Sequence, residues 1–298
     1  MKNKIYIAGA GGMLGKDVFN TFKHEIHNEV LASDIDVNED WIMYGDIRDY
    51  TSIKSQILDF NPDLIINLAA LTDLEECEST YTNCMVTNTI GAINLMEISK
   101  ELDIPYIFIS TAGIFDGKKD QYTDSDIPIP LSIYGKSKVY AENYITNNYP
   151  KSWIFRAGWM MGGGIDKDKK FIGKLLNQIN EQNKKEIFVV DDKLGTPTYT
   201  VDFANSILRH YNESLPFGVY NMVCQGNASR YDVALKIKEY LDLDIKIIKV
   251  TSDFFKKEYF APRPFSEKLI NFNLNKLNKN YMRDWEICLK EYLTKFYG

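Results

Sequence analysis

An α/β fold, with a parallel sheet covered on both faces by helices, is predicted by three observations in the 298-residue chain. Short apolar runs alternate with amphipathic stretches through the first half, a glycine-rich turn joins the first run to the first amphipathic stretch, and after about residue 158 this rhythm gives way to shorter elements. Together they read as a Rossmann-like doubly wound parallel sheet with a smaller C-terminal substrate-binding lobe. The expected division is residues 1–158 for dinucleotide binding and 159–298 for the lobe, partly interleaved with the first part. Ligands of such sheets sit beyond the carboxyl ends of the strands.

In order, Ile5-Tyr6-Ile7-Ala8 reads as a buried strand and residues 13–24 as a helix. Strands follow at 30–32, running out at Ser33-Asp34, and at 42–44, then a helix near 51–59. Residues 63–67 form a fourth strand, 80–100 a long helix, 106–109 a fifth strand, 133–148 another helix and 153–156 a sixth strand. Gly162-Gly163-Gly164 and the charged stretch from Asp166 to Lys170 read as a mobile loop. Strands at 187–190 and 219–221, helices near 201–210 and 230–240, a loop holding Pro262, Arg263 and Pro264, and a closing helix over 285–296 complete the chain.

Composition narrows the function. A formal charge of -6 and a pI near 5.3 argue against a non-specific grip on nucleic acid or an anionic membrane. Met1-Lys2-Asn3-Lys4 leads straight into an apolar run with no secretory signal, and no run is long enough to span a bilayer, so a cytoplasmic location is expected. Cys77, Cys84, Cys224 and Cys288 form no CxxC pair, and with His24 and His27 on the first helix no zinc pattern emerges. Reduced, buried thiols and no metal are the expectation.

Gly9, Gly12 and Gly15, with Met13 and Leu14 between the last two, follow the first strand and open the first helix as G-x-x-G-x-x-G. Positions without side chains let backbone N–H groups and a helix N-terminus approach a pyrophosphate. Asp34, at the end of the second strand, can accept hydrogen bonds from an adenosine ribose and would repel a 2′-phosphate. The expected cofactor is NADH or NADPH, with a slight preference for NADH. Asp46 and Ile47 are placed to hold the adenine edge, and Leu68, Ala69 and Ala70 to pass under the nicotinamide ribose.

Tyr134 and Lys138 stand four residues apart, on one face of a helix. Reduction of a carbonyl needs a hydride donor and a proton donor at the developing alkoxide. A tyrosine hydroxyl can give that proton, but its ordinary pKa near 10 is high, and a neighbouring ammonium favours the phenolate. Thr111, at the end of the fifth strand, is placed to polarise the carbonyl oxygen. About two Y-x-x-x-K matches are expected by chance in so tyrosine-rich a chain. The second, Tyr50–Lys54, falls on the adenine side, away from any hydride chemistry.

These residues resemble the extended short-chain dehydrogenase/reductases, and among them the dTDP-4-dehydrorhamnose reductase family. The resemblance covers nearly the full chain. It takes in the glycine loop, Asn67 to Asp73, Val86 to Leu95, Ser110-Thr111 with Phe115-Asp116-Gly117, and Tyr134 to Lys138 with Glu142. In the second half it takes in Arg156-Ala157-Gly158-Trp159, Asp192 to Thr198, and Arg263-Pro264 with Ser266. It implies Thr111, Tyr134 and Lys138 as the catalytic set, and adds Met13, Leu14 and Asn88 to the cofactor side. Thr72, Trp159, Thr196 and Arg263 would border a nucleotide-sugar site. The residues agree in kind, since an arginine between prolines is well presented for a diphosphate. Core packing for Trp159 and a local acid partner for Arg263 are the plainer alternatives.

The implied activity is NAD(P)H-dependent reduction of the 4-keto group of a nucleotide-diphospho-6-deoxyhexose, serving dTDP-rhamnose and cell-surface polysaccharide synthesis. Two alternatives stand beside it: an epimerase or dehydratase, and a non-catalytic regulatory subunit of the same fold. A homodimer through the helices at 80–100 and 133–148 is possible, although packing on the sheet explains their apolar faces equally well. The chain departs from the family twice: Ala112-Gly113 stands where Asp-Tyr is usual after the threonine, and the 162–170 loop is longer and more charged.

Overall fold

The computed structural model describes residues 3–298. Its first half lays down β1 (Asn3–Ala8), α1 (Gly15–Lys23), β2 (Asn28–Asp34), β3 (Ile42–Tyr44), α2 (Tyr50–Phe60) and β4 (Leu64–Asn67). Next come α3 (Leu74–Ser79), α4 (Tyr81–Met85), a π turn (Val86–Ile90), α5 (Gly91–Leu102), β5 (Tyr106–Thr111), α6 (Ile133–Asn148) and β6 (Ser152–Ala157). The second half adds β7 (Trp159–Met161), α7 (Gly164–Lys167), α8 (Phe171–Asn180), β8 (Glu186–Val190), β9 (Leu194–Gly195), β10 (Pro197–Tyr199) and α9 (Thr200–Asn212). It closes with β11 (Gly218–Asn221), β12 (Ala228–Ser229), α10 (Arg230–Tyr240), β13 (Lys246–Val250), α11 (Phe272–Lys276) and α12 (Trp285–Phe296).

Seven strands form one parallel sheet in the order β11-β6-β5-β4-β1-β2-β3. The chain steps outward from β1 to β3, then crosses to β4 on the other side. The order therefore reverses between β1 and β4, which places the ligand crevice at their carboxyl ends. Strand alternation sends Ile5, Ile7, Ile66, Ile107 and Phe155 to one face, under Val18 and Phe22 of α1 and Phe203 and Ile207 of α9. Tyr6, Ala8, Ile65, Phe108 and Ile154 go to the other, under Ile53 and Ile57 of α2, Leu95 of α5 and Ile145 of α6. Burial on both faces explains the near-continuous apolar strands.

The structure departs from the sequence reading in two places that bear on the site. The helix expected over 80–100 is interrupted by the π turn and preceded by α3. Asn88, inside that turn, is buried and rotated inward: its Oδ1 accepts from the Leu71 N–H at 2.7 Å, and its Nδ2 donates to the Leu71 carbonyl at 2.9 Å and Ser137 Oγ at 3.0 Å. Extra residues of this kind recur at functional sites. The stretch 162–170, read as a mobile loop, includes α7 and is anchored at several points. Lys167 donates to Asn38 Oδ1 at 2.8 Å, Lys170 to Thr72 Oγ1 at 3.0 Å, and buried Asp168 accepts from the Tyr292 hydroxyl at 3.0 Å. Helix α8 was not read although Ile172, Leu175 and Leu176 give it an apolar face, and the short strands β7, β9, β10 and β12 escaped periodicity because long-range pairing defines them.

All four cysteines are free and buried, and His24 and His27 are exposed. Among the described residues no helix is long and apolar enough to cross a membrane.

Arg156 on β6 is fixed beneath the site by Glu142 of α6, with Nε to Oε1 at 3.1 Å and Nη2 to Oε2 at 2.7 Å, and by the Asp124 carbonyl at 3.1 Å. Both side chains are buried. Removing one member of such a pair strands the other charge. Glu142→Leu is expected to lower unfolding stability by about 3–5 kcal/mol, read from denaturant melts, and the double replacement with Arg156→Met by clearly less.

Candidate active site

The three glycines of the loop do different work. Gly9 turns with φ +82°, and a Cβ there would lie 2.2 Å from the Ala69 nitrogen, so the turns after β1 and β4 touch only because this position is bare. At Gly15 a Cβ would lie 2.0 Å from the Ala10 carbonyl oxygen, so helix and strand pack on it. At Gly12 the nearest atom would be 3.8 Å away, an ordinary contact. The protein's own packing does not require glycine there; an anion approaching the backbone does. Leu14 at the start of α1 makes no side-chain capping bond, so the amides of the first turn stay available. The loop thus fits a dinucleotide pyrophosphate.

Asp34 is engaged more closely than its position suggests. Its Oδ2 accepts from the Gly11 N–H at 2.8 Å and its Oδ1 from the Asp36 N–H at 2.9 Å, so the carboxylate ties β2 to the loop. Lys16 and Lys167 flank Glu39 at 3.4 and 3.5 Å in the same corner, which is therefore not purely acidic. Asp46 is committed to Arg48, whose guanidinium holds its carboxyl below the usual range. Ile47 is buried, with its carbonyl bound by the Asn94 side chain at 2.8 Å. Leu68, Ala69 and Ala70 run beside the loop, with Leu68 donating to the Ala8 carbonyl at 2.8 Å and Ala69 to Asn67 Oδ1 at 3.0 Å. Asn88 reaches this segment through Leu71.

Thr111 ends β5, and its Oγ1 accepts from the Gly113 N–H at 3.1 Å, which leaves its own proton to donate. Ser132 caps α6 by accepting from the Gly135 N–H at 3.1 Å, and Tyr134 stands in the first turn. Burial raises the Tyr134 phenol above its ordinary value, and the adjacent Thr111 hydroxyl opposes that rise. Lys138, one turn on, donates to the Ile109 carbonyl at 2.9 Å and lies 4.7 Å over the Phe108 ring. Burial lowers its ammonium to about 8, against a smaller opposing pull from Glu142. The spacing argument expected Lys138 to draw the phenol down. In the structure the ammonium rests on a strand carbonyl, and burial sets the direction at Tyr134.

On the lobe side Trp159 donates from Nε1 to Glu267 Oε2 at 2.7 Å, while the Arg230 guanidinium lies 3.7 Å over its ring. Thr196 is fully buried, its carbonyl accepting from Trp159 N–H at 2.8 Å and its hydroxyl meeting Asn227 Oδ1 at 3.3 Å. Arg263 pairs with Glu75 of α3 at 2.8 Å, the local acid partner that was the plainer alternative. Thr72 meets Lys170, joining the two halves. Arg230 and Glu267 were not singled out in the sequence, whereas Lys170 and Lys193 lay within stretches that were. Arg230 makes no ion pair among the described residues, and burial lowers it to about 10. The Ser229–Asp232 capping box marks the helix start that presents it, and Glu267 directly follows Ser266 of the arginine-proline motif.

The description RmlD substrate binding domain matches residues 2–297. The chain belongs to this family. Among family relatives, the spore coat polysaccharide biosynthesis protein SpsK of Bacillus subtilis is 30% identical over 293 residues, 98% of this chain and 97% of its own. A solved dTDP-4-dehydrorhamnose reductase from Clostridium acetobutylicum is 31% identical with a TM-score of 0.89, covering 98% of this chain and 99% of that one. The Bacillus anthracis enzyme of that name, solved in complex with NADP, is 25% identical with a TM-score of 0.87, covering 99% of this chain and 100% of that one.

The glycine geometry separates binding from folding. Gly12→Ala is expected to melt within about 2 °C of the parent yet bind dinucleotide at least about tenfold more weakly, as befits a close backbone approach to pyrophosphate. Gly15→Ala should lose thermal stability outright. Unchanged dinucleotide affinity in Gly12→Ala, measured by fluorescence titration, would contradict this reading of the loop.

Proposed function

We propose that this RmlD-family protein is an NAD(P)H-dependent reductase of the 4-keto group of a nucleotide-diphospho-6-deoxyhexose. The observation that carries the proposal is the grouping of Thr111, at the end of β5, with Tyr134 and Lys138, in the first two turns of α6, in a fold whose glycine loop is open at Gly12. The names of relatives point to a dTDP-linked 4-keto sugar. A regulatory binding module would leave the buried lysine and the phenol without a task. Dehydration wants an acid after the threonine, where Ala112 stands.

When bound, the reduced nicotinamide supplies the hydride. Gly9, Gly12, Met13, Leu14 and Gly15 would hold its pyrophosphate, Asp34, Asp46 and Ile47 its adenosine end, and Leu68, Ala69, Ala70, Asn88 and Lys138 its nicotinamide end. Tyr134 gives its proton to the carbonyl oxygen as charge develops there. Thr111, whose Oγ1 accepts from the Gly113 N–H and keeps its own proton, donates to that same oxygen. Lys138 orients the ribose and supports the proton transfer with its charge. Thr72, Trp159 and Arg263 line the sugar-nucleotide side, with Arg230 as an additional cation for the diphosphate, while buried Thr196 supports Trp159 through its carbonyl.

NADH and NADPH are both within this reading. The NADH preference drawn from Asp34 loses its physical basis, because that carboxylate already binds two backbone amides while Lys16 and Lys167 stand nearby. Residues 1–158 form the dinucleotide half and 159–298 the substrate lobe, interleaved because β11 completes the central sheet. The setting is cytoplasmic supply of a deoxysugar for a cell-surface polysaccharide. Two copies pair through α5 and α6, where Tyr140 and Tyr144 are exposed.

Tyr134→Phe is expected to reduce turnover by about a hundredfold or more, with dinucleotide affinity retained; near-parental turnover would sink the assignment. The pH dependence follows from Lys138. The amine is charged below about 8 and neutral above it, while Tyr134, shifted upward, keeps its proton throughout. Turnover should therefore fall as pH rises through about 8, and in Lys138→Arg any remaining activity should lose this limb. A flat profile from neutral to strongly alkaline pH would contradict the role given to the lysine.

A further inference from the structure

Gly113 and Glu267 meet beside the reacting group. A Cβ built at Gly113 would lie 3.3 Å from Glu267 Oε1 and 3.5 Å from Thr111 Oγ1, so the carboxylate borders the space next to the catalytic hydroxyl that a side chain at 113 would fill. Glu267 Oε2 is fixed by the Trp159 indole N–H at 2.7 Å, and its own N–H is held by the Leu194 carbonyl at 2.7 Å. Oε1 accepts no hydrogen bond among the described residues. Burial raises the Glu267 carboxyl, while Trp159, Arg230, Arg263 and Lys193 pull it back toward the ionised form. An acid held this way, with one oxygen committed and the other free, is unexplained by folding alone.

Resting on the reductase reading, we infer that Glu267 is a specificity-determining residue whose free Oε1 accepts a hydrogen bond from a donor on the sugar carbon adjacent to the reacting carbonyl. The chemistry of the ring identifies that carbon. With the 4-keto oxygen at Thr111 and Tyr134, the neighbours are C5, which carries a methyl group and the ring oxygen, and C3. Only C3 of a 6-deoxyhexos-4-ulose bears a donor, a hydroxyl or an amino group. The substrate class is thus a 4-keto-6-deoxy sugar with a C3 donor. The bare position at Gly113 lets the Glu267 carboxylate stand beside Thr111, and that carboxylate provides the recognition. A site built to bond a donor rejects the analogue that lacks it, because the carboxylate is then desolvated without a partner.

The test compares the parent protein with Glu267→Gln and Glu267→Ala. Calorimetry with NADP present measures binding of dTDP-rhamnose and of dTDP alone. Turnover is measured with dTDP-4-keto-6-deoxyglucose, its 3-deoxy analogue and its 3-amino-3-deoxy analogue. Glu267→Ala should bind dTDP-rhamnose about 10–100-fold more weakly, as expected for a hydrogen bond to a charged group, with dTDP affinity unchanged as the folding control. Glu267→Gln, which keeps an acceptor, should stay within about tenfold of the parent for the hydroxyl sugar and lose more with the amino sugar. The parent should prefer the 3-hydroxyl or 3-amino sugar to the 3-deoxy one, the faster of the first two naming the natural donor, and Glu267→Ala should lose that preference. Should the alanine variant fail to fold, the glutamine variant with the amino and hydroxyl sugars decides the matter. Unchanged dTDP-rhamnose affinity and an unchanged preference in a folded variant overturn the inference and leave the reductase reading intact. Absence of both turnover and nucleotide-sugar binding in the parent overturns the two together.

Discussion

A contact between two bare backbone turns underlies the whole site. Gly9, after β1, lies against Ala69, after β4, at a distance that no side chain could share. These strands are neighbours at the point where the sheet order reverses, so the contact closes the floor of the crevice where ligands of such sheets bind. From there a chain of hydrogen bonds runs to the chemistry. Asn88 clamps both backbone groups of Leu71 and donates to Ser137 Oγ, which in turn donates to the Tyr134 carbonyl at 2.7 Å. The floor of the cofactor crevice and the first turn of α6 are thus parts of one network, and the π turn is what points Asn88 into it.

Charge is distributed in the crevice so that burial, more than pairing, sets the behaviour of its groups. Lys138 and Arg230 are both pushed toward neutrality by burial, and Tyr134 and Glu267 are both pushed toward their protonated forms. Few of these groups form ion pairs with one another, which is costly in a folded protein and typical of sites that wait for a charged ligand. Where pairing does occur, at Arg156–Glu142 and Arg263–Glu75, it braces the elements that carry the site. Arg263 holds α3 against the 261–267 loop through Glu75.

Much of the fold was legible because its signals are local. Strand runs such as residues 5–8 and 106–109, the spacing of Gly9, Gly12 and Gly15, and the four-residue step from Tyr134 to Lys138 can each be read within one stretch of chain. Missed features have causes distant in sequence. Trp159 and Glu267 are bonded across 108 positions, β7 and β10 exist only by pairing with each other, and Asn88 turns inward through an irregular helix that no periodicity encodes. Asp34 illustrates a third case, in which the residue was found but its partners were not: its carboxylate, read as an acceptor for an adenosine ribose, is bonded to the backbone amides of Gly11 and Asp36. Ala112-Gly113, legible as a departure from the family, acquires meaning only once Glu267 is seen beside it.

The central claim is that this crevice joins a reduced nicotinamide to a keto sugar, and nicotinamide absorbance tests it most directly. The purified protein is mixed with NADH or NADPH and a panel of nucleotide-linked 4-keto sugars. The account predicts a loss of absorbance, equimolar with the alcohol formed, that requires both a reduced nicotinamide and a 4-keto-6-deoxy sugar. Undiminished absorbance with every sugar and both cofactors would contradict it.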